Sequence, residues 1–177
     1  IHGFGACKEH WRFNQPVISK ATICYAIDLI GFGESSQPKA RLKEEQPFPG
    51  DFTYNFDTWA SQVADFCKEI VKQPVILVGN SIGGVISLRA SQLLDKNCNG
   101  VVLIDCAQRT MDDKRLAEQT IWMRWFRPWL KILVRQRWLS SSLFNNASNP
   151  NVIKQVLKQA YPSGSNVDEH LIQLLQT

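Results

Sequence analysis

Gly79-Asn80-Ser81-Ile82-Gly83 is the stretch of this 177-residue chain best equipped for covalent chemistry. It matches G-x-S-x-G, and its flanks give the match meaning. The apolar run Pro74-Val-Ile-Leu-Val78 precedes it, and Ile82 to Leu94 follows with a helical pattern and a small-residue start. The spacing therefore predicts a buried strand, a tight turn carrying Ser81, and a helix. Gly79 and Gly83 suit a turn in which side chains would collide with neighbouring backbone. The serine is then held in a strained conformation with its hydroxyl projecting above the sheet. A helix starting at Ile82 would bring free amides and a positive dipole end to an oxyanion forming beside Ser81.

His2-Gly3-Phe4-Gly5 is the second element. A Gly-rich turn upstream of the serine can direct a backbone N–H into the site, and Phe4 is the candidate donor, paired with the Ile82 amide. Two roles are open to His2: general base, or an imidazole that braces the turn by hydrogen bonds. The base in this arrangement follows the serine in chain order, which favours the brace. Asp28 at the end of an apolar run could line the site, but its expected role is to cap a turn. Asn80 is a candidate lining residue, and His10 and Trp11 are expected to pack behind the first turn.

Four elements must position these residues. Ala21 to Leu29 is a partly β-branched apolar run ending at Gly31 and Gly33, and it predicts a buried strand. Residues 34–52 are polar and hold three prolines, and so read as loop. From Phe56 to Val71 the residues Phe56, Trp59, Val63, Phe66 and Ile70 recur at steps of three and four. That is an amphipathic helix, capped by Asn55 or Asp57. Gly100 to Asp105 predicts a further buried strand. Continuously apolar strands separated by helices imply an α/β fold with a parallel sheet covered on both faces.

Three segments together resemble the α/β-hydrolase family: His2-Gly3-Phe4-Gly5, Asp28-Leu-Ile-Gly-Phe-Gly-Glu-Ser35 and Gly79-Asn-Ser-Ile-Gly-Gly84. The last of these, with Ala160-Tyr-Pro-Ser-Gly-Ser-Asn-Val-Asp-Glu169, is most similar to the cyanobacterial and plastid branch that includes pheophytinase and chlorophyll dephytylase. The resemblance implies a partial α/β-hydrolase core over 1–105 and a helical cap over 106–177. It implies Ser81 as nucleophile and the Phe4 and Ile82 amides as oxyanion hole. An acid and a histidine should follow on two further strands, yet after Asp105 no such pattern occurs and His170 is the one remaining histidine. A Ser81–Asp105–His170 triad has the right order, but His170 lies in an apparently helical stretch. The expectation is therefore a fragment, inactive by itself, whose acid and base lie beyond Thr177.

The cap segment differs in composition. Residues 1–105 hold ten basic against eleven acidic side chains, a net of −1, whereas 106–177 hold ten against five, a net of +5, and four of the six tryptophans. From Ile121 to Trp138, Arg124, Arg127, Lys131 and Arg135 fall at helical spacing, with Trp122, Trp125 and Trp129 mostly opposite. Such a segment can roof an apolar pocket, with Trp125 and Trp129 lining it, or make peripheral contact with an anionic membrane. An overall +4 without a recognition motif argues against nucleic acid.

Five dispersed cysteines without metal-type spacing predict reduced thiols in an intracellular compartment, and no metal or cofactor is called for. No run of about 18 apolar residues suggests a membrane span. The chain starts at Ile1 in a Gly-rich turn, so a targeting segment is not readable, and the family branch implies a cytoplasmic or plastid location. Two functions follow. One is a serine hydrolase of carboxylic esters with a bulky apolar portion, such as phytylated pigments, acting through an acyl-enzyme on Ser81. The other is a non-catalytic relative that binds a small hydrophobic ligand.

Overall fold

The computed structural model describes residues 1–41 and 45–106. The chain divides into two units, Ile1–Ala107 and Gln108–Thr177. The second unit contains Trp125, Trp129 and His170, which, with all of the expected 106–177 cap except Cys106, lie outside the described residues.

Two short helical turns open the chain, Lys8–Trp11 and α1 (Gln15–Ile18). They are followed by α2 (Phe56–Phe66), β1 (Val75–Asn80), α3 (Ile82–Leu94) and β2 (Cys98–Ile104). β1 and β2 pair in parallel, with Leu77 opposite Val101 and Asn80 opposite Ile104. The pairing steps from Val75–Cys98 to Ile76–Gly100, so Asn99 is the extra residue of a bulge. Ile1 continues the ladder on the other side of β1. Its nitrogen donates to the Val78 carbonyl at 2.7 Å, and its carbonyl accepts the Asn80 amide at 3.0 Å. That is the bonding pattern of a parallel neighbour.

The helices cover one face of this sheet. Asn55 caps α2, its side-chain oxygen accepting the Asp57 and Thr58 amides at 2.8 and 2.9 Å. α2 turns Trp59, Ala60, Val63 and Ala64 inward, where they meet Leu29, Leu77, Ile86, Ala90 and Leu94 in one apolar core. The helical path continues to Val71, as the periodicity predicts, but widens to a π turn over Cys67–Val71.

Two elements differ from expectation. β2 forms and pairs, but it is not the buried strand expected: Val102, Leu103 and Ile104 are exposed, as is Ile76 of β1, because among the described residues only one face of the sheet is covered. Residues 23–29 form neither strand nor helix. Side chains take the backbone groups that a ladder would use. The Leu29 amide donates to the His2 imidazole, the Ile30 amide to Gln62 Oε1, and the Asp28 carbonyl accepts from Ser35 Oγ and Gln62 Nε2. Nor is the run buried as expected: Leu29 and Asp28 at its end are, but Ile23 and Tyr25 are exposed, so its apolar, β-branched composition reports neither a strand nor a buried segment. Within the polar loop, Ala40 and Phe52 make an isolated parallel bridge.

Candidate active site

Ser81 sits where β1 passes directly into α3, with φ 55° and ψ −121°. A non-glycine residue at positive φ is strained, and its surroundings must hold it there. β2 and the first turn of α3 do so. The Ser81 amide donates to the Ile104 carbonyl of β2 at 3.0 Å, while the Ser81 carbonyl accepts the Gly84 amide at 3.0 Å. Ile82 is the first residue of α3, so its amide has no acceptor within the helix.

The two elbow glycines are required by close approach. A Cβ on Gly79 would lie 2.5 Å from both the Gly83 carbonyl carbon and Ser87 Oγ. A Cβ on Gly83 would lie 2.5 Å from the carbonyl oxygens of Ile1 and His2. α3 therefore begins against both β1 and the first residues of the chain. Ser87 adds a fixed point, donating to the Gly83 carbonyl at 2.7 Å from a fully buried position.

The first turn lies against the elbow. Gly3 is buried, and a Cβ there would stand 3.2 Å from Ser81 Cβ and 3.6 Å from the Asn80 amide nitrogen Nδ2. Three of the candidate residues, Gly3, Asn80 and Ser81, are thus brought together. Phe4 follows Gly3, with its ring 77% exposed and edge-on to Phe32 at 5.6 Å. Phe32 also meets the His2 ring at 5.4 Å and Trp59 at 5.9 Å, so aromatic surface flanks the turn.

His2 is 1% exposed. Its Nε2 accepts the Leu29 amide at 3.0 Å, so the proton sits on Nδ1, which donates to the Gly3 carbonyl at 2.8 Å. Both ring nitrogens are occupied, which corresponds to the bracing role and leaves none to receive a proton from Ser81. Burial holds its pKa below the usual imidazole value, as it does for His10, whose Nδ1 accepts the Cys7 amide at 3.2 Å.

Asp28, also buried, ties three segments together. One carboxylate oxygen accepts the Lys8 amide at 2.6 Å and the other the Glu34 amide at 3.0 Å, with the Lys8 ammonium 3.4 Å from the second. Lys8 also pairs with Glu34. Asp28 therefore caps turns, and Lys8, Glu34 and Gln62 join it as supports that sequence reading did not single out. Asp105, at the end of β2, has φ 42° and is exposed. A cavity of about 420 Å³ lies elsewhere, between α2 and α3, lined by Ala60, Val85, Leu88 and Leu93 among others, none of them at the elbow. Among the described residues no cluster of three His, Cys, Asp or Glu side chains could hold a metal ion, and no helix is long and apolar enough to cross a membrane.

A family model described as alpha/beta hydrolase family matches residues 1–169. The chain is similar to a human (lyso)-N-acylphosphatidylethanolamine lipase, 28% identical over 106 residues, covering 59% of this chain and 28% of the lipase. It is similar to a 2-hydroxy-6-oxo-6-(2'-aminophenyl)hexa-2,4-dienoic acid hydrolase of Metapseudomonas resinovorans, 32% identical over 111 residues, covering 60% of this chain and 34% of that enzyme. The chloroplastic pheophytinase of Arabidopsis thaliana is 24% identical over 124 residues, covering 59% of this chain and 26% of that protein. The matches thus take in between about a quarter and a third of each relative's length.

Proposed function

The chain belongs to the alpha/beta hydrolase family, and from that premise we propose that it supplies the nucleophilic half of a serine hydrolase acting on carboxylic esters with a bulky apolar part. The observation that carries this reading is Ser81 itself: a serine held at φ 55° between the end of β1 and the start of α3, with the Gly3 turn packed on it. In the proposed reaction Ser81 Oγ attacks the ester carbonyl and gives its proton to a base. The amides of Phe4 and Ile82 receive the oxyanion, the alcohol leaves, and water then releases the acid from the acyl-serine. With His2 engaged at both nitrogens, we assign the base and its acid partner to residues outside those described. A serine deprived of them loses several orders of magnitude in rate, so the proposal concerns the full-length protein.

The preference for an apolar ester rests on the aromatic surface of Phe4 and Phe32 beside the turn and on the tryptophan-rich, basic composition of 106–177. Relatives named for acyl lipids and for a phytylated pigment point the same way. A phytyl ester is the most specific candidate, and a membrane-borne substrate suits the basic residues of 121–138. The test is hydrolysis of apolar esters by the full-length protein and its Ser81→Ala variant. The variant should lose at least about a thousandfold in kcat. Undiminished hydrolysis would end the serine-hydrolase reading. Ligand binding without turnover in the wild type would support the non-catalytic alternative.

A further inference from the structure

The brace and the proposed oxyanion donor share one peptide plane. The Gly3 carbonyl, which accepts His2 Nδ1–H at 2.8 Å, belongs to the same peptide unit as the Phe4 amide. In a trans peptide the C=O and N–H point in opposite directions, so fixing one fixes the other. The imidazole is in turn fixed by the Leu29 amide at 3.0 Å. The flanking Gly5 is at φ 65° with open space around it, so the turn has no packing of its own at that side to restrain it. The Ala6 amide also donates to the Gly3 carbonyl, at a longer 3.3 Å.

We propose that His2 is a positioning residue for ester hydrolysis: its Nδ1–H, donated to the Gly3 carbonyl, holds the Phe4 N–H in the direction of the oxyanion. This rests on Ser81 being the nucleophile. Because the histidine acts through the Phe4 donor, it contributes to the transition state and not to substrate binding, so its removal should appear in kcat and leave KM nearly unchanged. It also acts in one tautomer. Leu29 N–H requires a bare Nε2, and Nδ1 must therefore carry the proton.

Three variants of the full-length protein separate this role from simple packing. His2→Asn keeps a donor near the Nδ1 position, His2→Gln keeps an acceptor near the Nε2 position, and His2→Phe keeps the ring alone. The expected result is that kcat follows the donor: Asn stays within about tenfold of wild type, while Gln and Phe fall by about a hundredfold, the loss typical of one oxyanion donor. Melting temperature should not follow that order, because Gln satisfies the buried Leu29 amide and Asn does not. If kcat tracks melting temperature across the three, or if KM rises with kcat unchanged, the role is packing and the inference is overturned.

A measurement on the wild type needs no variant to fold. Nitrogen-15 spectra of the labelled imidazole should report His2 protonated on Nδ1 and bare on Nε2 at neutral pH, and the opposite tautomer would overturn the inference. Failure of the underlying reading is distinguishable, because Ser81→Ala would then retain full hydrolysis whatever His2 does.

Discussion

At the scale of single residues, the site stores strain in Ser81. A serine at φ 55°, ψ −121° occupies backbone space that glycine enters freely and other residues enter at a cost of about 1–3 kcal/mol. Ser81→Gly should therefore raise the stability of the protein by about 1 kcal/mol while removing hydrolysis, and a thermal melt paired with an ester assay would register both. A variant less stable than wild type would mean that the serine side chain contributes more than its backbone strain costs. This residue was legible in the sequence because its signature is local: Gly79, Gly83 and the flanking apolar run lie within a few positions of it, although distant groups, the Ile104 carbonyl and the Gly3 turn, also hold it. The supports were less legible. His2 reaches Leu29, and Asp28 reaches back to Lys8 and forward to Glu34, and no local pattern announces such contacts. His2 and Asp28 were identifiable as residues of interest, but Lys8 and Gln62 are ordinary surface types whose roles arise only from folding.

At the scale of elements, α3 does the most positioning. It packs on α2, β1 and β2 and begins at the candidate nucleophile. Ile86, one turn beyond the elbow, is fully buried. Ile86→Ala should cost about 2–5 kcal/mol, read as a lower denaturation midpoint at unchanged slope. A loss under 0.5 kcal/mol, about the size of a neutral surface change, would mean that the core at α3 relaxes around the cavity. Periodicity revealed α2 and α3, which each bury one face, and apolar β-branched composition revealed β1 and β2, although β2 is left largely exposed. The run 21–29 carries the same apolar signal without the strand. Apolar composition does not by itself make a ladder, which also asks that the backbone amides face a neighbouring strand. At Leu29 and Ile30 they face His2 and Gln62 instead.

At the scale of the whole molecule, the chain combines a near-neutral first part with a basic, tryptophan-rich second part. If 121–138 covers an apolar ester, as proposed, Trp125→Ala and Trp129→Ala in the full-length protein should lower kcat/KM on long acyl or prenyl esters by about tenfold while sparing short ones. Equal losses on both would remove chain-length selection from that segment. The central claim, that Ser81 is an activated nucleophile, has a more direct test. A fluorophosphonate probe should form a covalent adduct with the full-length protein, and peptide mapping should place it on Ser81, with no adduct in Ser81→Ala. An adduct on another residue, or none on a folded wild-type protein, would contradict the account.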